Sequence, residues 1–420
     1  MIPGKSYSDS GMTSGLIKRY EPSQVSVGLY SDNKLAFLGG GEVTIIDLGN
    51  FLSQAGMHVT VLDDSNGSDM KRIKENELRR MLLAPYEQIP YSTPGRLKFL
   101  YHPMPSVKAL CSRDVNLIFV HRIPPKSYIE EISKIRSNVA LCFHGIGLQV
   151  KNPLNPIIRL YQSYMRYALR KISGIVNKSG NIYFHVLTES TASILTMSGI
   201  HRDRVIVIPS GIAPKQYGVG RNDSTFRVLF MGRMDDLQKG IKRLKKVVEM
   251  LAKIAPDIEV TAIGSGPDAS VLSHVMNKNF QYLGYVDSEV KSDLLMSSSL
   301  LLATSNMDPF PLVCLEGLFS GLPVVTTPAS GPSAMISSIQ DAGKVSDFKS
   351  TKLASNILEY YHQWVHDPKG YHLRKIARSN AAKLEFSIES MNNDYMKFIE
   401  LMNRYSKEEV SQTDDHQYIY

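Results

Sequence analysis

Only three of the 420 residues are cysteine, and Cys111, Cys142 and Cys314 sit in apolar surroundings at no metal-like spacing. This excludes a disulfide scaffold and a cysteine-ligated metal, and it reads as buried, reduced thiols of a cytoplasmic protein. No run approaches the roughly 18 apolar residues of a membrane span. The opening residues, M-I-P-G-K-S-Y-S-D-S-G-M-T, hold no apolar core of a secretion signal. A strong excess of one charge is missing too. The net charge is +8 with a pI near 9.1, which is mild for this length. That suits anionic substrates or a membrane surface and is too weak to argue for nucleic acid. What is present is ordinary globular composition, 43% hydrophobic and 21% charged. The length exceeds what one core usually supports, so two domains are expected.

Residues 1–33 are rich in Gly, Ser and Tyr and read as an N-terminal extension. Gly4-Lys5-Ser6 imitates the end of a phosphate loop without its upstream glycine. Lys34 to Leu38 reads as a strand running into Gly39-Gly40-Gly41-Glu42. A helix with Val43, Ile46, Leu48, Phe51 and Leu52 on its apolar side follows and ends at Gly56. Then comes a strand, Val59 to Leu62. A glycine turn at a helix N-terminus lets backbone approach a phosphate closely. The dinucleotide pattern wants glycine where Thr44 stands, yet Asp63 or Asp64 could serve as a ribose acid, so an NAD- or FAD-dependent enzyme stays open. A turn that binds nothing is the plainer alternative.

Residues 70–84 read as helical, and Asp114–Val120 and Val139–Phe143 read as buried strands. The second delivers His144-Gly145 at its carboxyl end, which in an open parallel sheet faces the ligand crevice. Lys151 to Lys178 carries Lys151, Arg159, Arg166, Arg170, Lys171 and Lys178 and no acid. Arg159, Arg166 and Arg170 share one helical face, with Tyr161, Tyr164, Met165, Ala168 and Ile172 opposite. Such a helix can lie on anionic lipid, hold an anionic acceptor or simply be solvated. Tyr183–Leu187 and Arg204–Ile208 are further strands, separated by a helix that stops at Gly199. The segment 34–208 is thus the first domain, and 209–225, rich in glycine, proline and polar residues, is the linker.

Alternation restarts in the second domain, 226–386. Strand Val228–Met231 runs into Gly232-Arg233, and Lys239-Gly240 stands at the start of the next helix, Ile241–Ile254. Arg offers a planar fork for phosphate oxygens and Lys a point charge. Strand Glu259–Ile263 ends in Gly264-Ser265-Gly266-Pro267, and strand Gln281–Leu283 ends in the turn Gly284-Tyr285-Val286-Asp287. Strand Leu300–Ala303 leads into S-N-M-D-P-F-P-L-V-C-L-E-G-L-F-S-G-L-P-V-V-T-T, a polar turn, a helix opened near Pro311, a stop at Gly321 and strand Val324–Thr326. That order aims a helix N-terminus at the crevice where anions bind. Asp308 precedes the helix and Glu316 lies within it, where a carboxylate among apolar residues needs a partner. Residues 387–405 read as a long helix and 406–420 as a polar tail. Strands alternating with helices throughout predict an α/β protein with doubly wound parallel sheets in both halves.

Taken together, G-G-G-E, F-H-G-I-G, G-R-M-D-D-L-Q-K-G and D-P-F-P-L-V-C-L-E-G-L-F-S-G-L-P-V-V resemble, in order, glycosyltransferase family 4, whose fold is GT-B: two Rossmann-like domains facing across a crevice. The resemblance covers about residues 34 to 400. It implies a retaining enzyme that takes sugar from a nucleoside-diphosphate sugar without an essential metal or cofactor, and no D-x-D pair is present to suggest one. It also implies a role for each matching residue. Arg233 and Lys239 grip the donor diphosphate, Glu316 holds the ribose, and Asp308 contacts the transferred sugar. Phe310, Pro311, Leu312 and Val313 present backbone amides. Gly39, Gly40 and Gly41 close on the diphosphate, and His144 lies near the reacting sugar. Tyr285 and Val286 face the base, and the Gly264 turn belongs to the donor side. The acceptor is expected to be a glycan or lipid-linked, met at a membrane surface near the basic helix, and the closing helix is expected to cross back onto the first domain. Three positions depart from the family: Asp308 where Glu is usual, Ala213 where Asp often stands, and Val43 where Arg is common. The first two motivate an alternative, a catalytically silent nucleotide-sugar-binding partner subunit.

Overall fold

A computed structural model describes residues 22–31, 35, 40–65, 75–90, 107, 109, 111–113, 115–121, 126–143, 148, 156–220, 224–273, 275 and 277–414. Two fully parallel sheets carry the fold. The first contains β1 (Ser26–Ser31), β2 (His58–Ser65), β3 (Tyr86–Pro90), β4 (Leu117–Val120), β5 (Asn138–Cys142), β6 (Ile182–Val186) and β7 (Val205–Val207), ordered β3-β2-β1-β4-β5-β6-β7. The second contains β8 (Arg227–Met231), β9 (Glu259–Ile263), β10 (Phe280–Tyr282), β11 (Leu300–Ala303), β12 (Val324–Thr326) and β13 (Gly343–Val345), ordered β10-β9-β8-β11-β12-β13. The inner strands, such as β4, β5, β8 and β11, are short buried runs of largely apolar residues, as expected where helices cover both faces. Strand order reverses between β1 and β4 in the first sheet and between β8 and β11 in the second. At such switch points the connecting helices leave toward opposite faces and open a crevice above the strand ends.

The first strand departs from the sequence reading. It is Ser26–Ser31, inside the segment expected to be an extension, and its Val27, Leu29 and Tyr30 are fully buried between β2 and β4. Leu35, expected in that strand, instead donates its N–H to Asp63 Oδ2 at 2.9 Å. The following helix, Gly40–Gln54, begins on Gly40 and Gly41, while Gly39 lies outside the described residues. Strand β3 and the helix Lys126–Ile132 have no counterpart in the sequence pattern, because β3 carries Glu and Gln among its few apolar residues and the helix is only two turns long.

The closing helix, Ile388–Asp414, extends beyond the expected end at 405, so most of the supposed tail continues the same helix. It packs on the first sheet through Met391, Tyr395, Phe398, Ile399 and Met402. The Phe119 ring meets Tyr395 and Phe398 edge-on at 5.7 and 5.9 Å. The chain therefore passes between the halves twice, and the two passages run side by side. Ile212 bridges Ser387, with Ile212 N–H donating to Phe386 O at 3.2 Å and Ile388 N–H to Ile212 O at 3.0 Å. A Cβ on Gly211 would sit 2.3 Å from the Ser387 carbonyl, so only glycine allows this approach. Among the described residues no helix is long and apolar enough to cross a membrane.

Candidate active site

The second sheet's switch point is the centre of the site. β8 leaves into Gly232-Arg233, and the chain then makes one helical turn, Asp236–Lys239, capped by Asp235 accepting from Gln238 N–H at 3.2 Å. Lys239 thus closes this short helix rather than opening the next one, which starts after Gly240 in the left-handed conformation, φ 68°. A Cβ at Gly240 would lie 2.3 Å from the Thr304 carbonyl, in the loop after β11. The two loops are sewn together there. Thr304 Oγ1 donates to Lys239 O at 2.7 Å, Asn306 Nδ2 to Asp236 O at 2.9 Å, and Asn306 N–H to Gln238 O at 2.7 Å. Arg243 donates to Thr304 O, Asn306 Oδ1 and Phe348 O at 2.7, 2.8 and 2.9 Å. Neither Arg243 nor Asn306 stands out in the sequence, because their importance lies in which carbonyls surround them.

This stitching brings Lys239 onto Asp308. The ammonium and Asp308 Oδ2 form a direct ion pair, with the two side chains 17% and 9% exposed. Ser305 Oγ donates to the same oxygen at 3.4 Å. Asp308 is therefore neither a helix cap nor a solvated surface acid. Beside the pair, Arg233 remains half-exposed, held loosely by Asp235 at 3.6 Å. A Cβ on Gly232 would be 3.7 Å from Lys239 Cε, so the lysine stem lies against the turn that carries Arg233.

The helix Leu312–Phe319 points its first turn into the same crevice, with Pro311 at the cap position. Its first amides have no partners within the helix, and its dipole favours anions there. Phe310 is buried edge-on against Phe386 at 5.9 Å, Pro311 is buried, and Leu312 and Val313 are half-buried. Glu316, one turn in, accepts at Oε1 from Lys291 Nζ at 2.8 Å and from the Tyr217 hydroxyl at 3.1 Å. The partners of this apolar-flanked acid are thus side chains, not a backbone amide. Burial and the neighbouring carboxylate push the Tyr217 phenol well above its ordinary range, so it stays protonated and donates.

The remaining residues fall as follows. Gly264, φ 129°, packs its turn onto Gly232, where a Cβ would sit 1.8 Å from the Gly232 carbonyl. Its N–H donates to Gly284 O at 2.7 Å and its carbonyl accepts from Tyr282 at 2.9 Å. Tyr285 is 70% exposed on the crevice-side turn after β10, and Val286 is half-buried. His144 and Gly39 lie outside the described residues.

The helix Pro156–Ser179 corrects one reading. Arg159, Arg166 and Arg170 are exposed, but so are Tyr161 and Tyr164, which the pattern places on the packed side. The packed stripe is Met165, Leu169, Ile172 and Val176. The tyrosines share the solvent side with the arginines, together with Leu160 and Tyr167. Cys142 and Cys314 are buried and Cys111 half-buried, all free, and burial pushes the Cys111 thiol up to about 11.

Comparison with known proteins decides what this geometry belongs to. A family model described as Glycosyltransferase Family 4 matches residues 38–216, and one described as Glycosyl transferases group 1 matches 225–363. The chain is a family 4 glycosyltransferase. It is 24% identical over 311 residues to a phosphatidyl-myo-inositol mannosyltransferase of Propionibacterium freudenreichii, covering 71% of this chain and 76% of that one. It is also 24% identical over 233 residues to an N-acetyl-alpha-D-glucosaminyl L-malate synthase of Bacillus anthracis, covering 52% and 58%. Among solved structures, HepE of Anabaena in complex with UDP and glucose superposes with a TM-score of 0.65 at 16% identity, covering 90% of this glycosyltransferase and 99% of HepE. The sucrose-phosphate synthase of Thermosynechococcus elongatus gives 0.68 at 16% identity, covering 91% and 100%. At these identities the structures establish the shared GT-B fold alone. Family membership sets aside the NAD or FAD reading. Asp63 fits that outcome: it is fully buried, and its Oδ2 already accepts from Leu35 N–H and from Tyr86 at 2.8 Å.

Proposed function

We propose that this glycosyltransferase moves a hexose with retention from a nucleoside-diphosphate sugar to a lipid-linked or glycan acceptor at an anionic membrane surface. The observation carrying the proposal is the meeting of Lys239, Asp308 and the open Arg233 at the β8/β11 switch point, in front of a helix N-terminus. The cations bind the donor diphosphate, and the first amides of the helix complete its cradle. Asp308 yields Lys239 to the phosphates and turns to the sugar. As the nucleoside diphosphate departs, charge grows on its oxygens, and fixed cations stabilise that transition state more than the ground state. These cations do this without an essential metal, so transfer is expected to persist in EDTA. Glu316 takes the ribose and the Tyr285–Val286 turn faces the base. His144 and Gly39, Gly40 and Gly41 act from the first domain. The exposed arginines and tyrosines of helix Pro156–Ser179 support a lipid surface, as does similarity to proteins named phosphatidyl-myo-inositol mannosyltransferase.

The test is thermal unfolding of wild type and Arg233→Ala with UDP, GDP and ADP, followed by NMR of the product anomer. A ligand at a hundredfold its Kd raises stability by about 2.7 kcal/mol. A shift with one nucleotide, lost in the variant, supports the donor site, and a retained anomer supports the mechanism. No shift with any nucleotide sinks the reading. Binding without turnover leaves the silent partner subunit as the better description.

A further inference from the structure

Glu316 is held by a construction that the donor site alone does not call for. Its Oε1 receives two donors, Lys291 Nζ at 2.8 Å and the Tyr217 hydroxyl at 3.1 Å, while its Oε2 has no partner among the described residues. The side chain is 12% exposed, on a helix whose Cys314, Leu315, Leu318 and Phe319 are buried in the core. Three polar groups in such a place are a poor source of stability, since apolar residues of similar size usually serve as well or better. They do fix geometry. With Oε1 saturated, the carboxylate cannot rotate without breaking two charge-assisted bonds, and Oε2 stays available to an incoming pair of hydroxyls.

Each donor is itself anchored. Lys291 lies in the helix Ser288–Ser297, which begins directly after the Tyr285–Val286 turn and is capped by Asp287 accepting from Val290 N–H at 2.9 Å. Tyr217 comes from the passage between the domains. Its ring meets Phe319 edge-on at 6.0 Å and 88°, and its carbonyl accepts from Lys383 Nζ at 2.9 Å. The phenol therefore reaches Glu316 from a backbone tied at both the second domain's last long helix and the Ile212–Ser387 crossing.

We infer that Lys291 and Tyr217 are positioning residues that clamp one oxygen of Glu316 so that the other reads the ribose diol of the donor nucleotide. The inference rests on the donor-site reading above and adds two residues and a division of labour between the carboxylate oxygens. It predicts discrimination of ribose from deoxyribose, not a uniform contribution to affinity.

The measurement is calorimetric titration of the whole protein with UDP, GDP and ADP and with the 2′,3′-dideoxy form of whichever binds tightest. The variants are Tyr217→Phe, Lys291→Met, Lys291→Arg and Glu316→Gln, each first checked for an unchanged unfolding midpoint. Tyr217→Phe keeps the ring on Phe319, and Lys291 is partly exposed, so both leave the packing in place. Wild type is expected to prefer the ribonucleotide by tenfold or more, the scale of lost hydrogen bonds to a charged group. Tyr217→Phe and Lys291→Met should each weaken the ribonucleotide about fivefold while leaving the dideoxynucleotide unchanged, and Lys291→Arg should restore most of the preference. If both variants keep the wild-type ratio while Glu316→Gln abolishes it, the positioning role is wrong and the donor site stands. If they weaken both nucleotides equally, their role is only structural and the inference also fails. If Glu316→Gln keeps the ratio, or if wild type binds no nucleotide, the donor-site reading falls and takes the inference with it.

Discussion

At the scale of single residues, the Lys239–Asp308 pair is a structural element and, in the proposed donor site, a functional one. Removing the lysine leaves Asp308 buried with only a long Ser305 contact, a loss of about 1–3 kcal/mol by the cost of an uncompensated buried group. Removing Arg233 leaves only Asp235, itself a helix cap, without a distant counter-ion. Lys239→Ala should therefore lower the unfolding midpoint in urea and weaken nucleoside diphosphate binding by about tenfold or more, whereas Arg233→Ala should weaken binding alone. Equal midpoints for both variants would mean that the pair contributes nothing to the fold. Gly264 offers a sharper case. Its left-handed φ of 129° combines strain with a backbone clash, because an added methyl would lie 1.8 Å from the Gly232 carbonyl. Gly264→Ala should cost about 3 kcal/mol or more in equilibrium unfolding. A loss below about 1 kcal/mol, the scale of an ordinary surface change, would show that the two turns can separate freely.

At the scale of elements, the helix Pro156–Ser179 shows how far a pattern reaches. Periodicity places its arginines outside, and they are outside. It also places Tyr161 and Tyr164 inside, and they are not, because the packed stripe follows Met165, Leu169, Ile172 and Val176 instead. Only the position of the first sheet tells the two sides apart. The consequence is a face on which tyrosines and arginines stand together, with Lys171 over the Tyr167 ring at 5.4 Å. Each basic residue near an anionic bilayer contributes about 1 kcal/mol, so the triple change of Arg159, Arg166 and Arg170 to Ala should reduce binding to phosphatidylglycerol vesicles by roughly a hundredfold. Binding to phosphatidylcholine should change little. Vesicle flotation decides it, and equal recovery of wild type and variant on anionic vesicles would remove the lipid surface from the proposal.

At the scale of the molecule, the chain crosses back after the second sheet and its closing helix packs on the first. Phe398 is 3% exposed and meets Phe119 and Tyr183 edge-on at 5.9 and 6.4 Å, so the last helix of the chain completes the core of the first domain. Phe398→Ala should cost about 3–5 kcal/mol, the scale for truncating a buried aromatic. Thermal unfolding should show that loss in the transition of the first domain, and an unchanged midpoint would mean that the helix only rests on the surface.

The alternation of strands and helices, the glycine stops and the four motifs are legible in the sequence because each is local: a strand's apolar run or a glycine past a helix end announces itself within a few residues. Strands β8, β9, β11 and β12 and the helices Ile241–Ile254 and Leu312–Phe319 lie where the pattern puts them, give or take a residue. The second domain reads more accurately because its strands alternate cleanly with amphipathic helices. In the first domain the pattern misses β1, since Ser26–Ser31 has only three apolar residues set among serines and a glycine and is made a strand by pairing with β2 and β4, while Lys34 and Ala36–Leu38 of the expected strand lie outside the described residues. Residue order alone thus suffices for the fold class and the family, and it singles out the charged groups of the candidate site, Arg233, Lys239, Asp308 and Glu316. Which of those groups hold one another is settled only once the chain is folded: Lys239 on Asp308, and Lys291 with Tyr217 on Glu316. Those partners are 25 to 99 residues apart in sequence. Their meeting depends on strand order and on the path of the chain between domains, which no local pattern encodes.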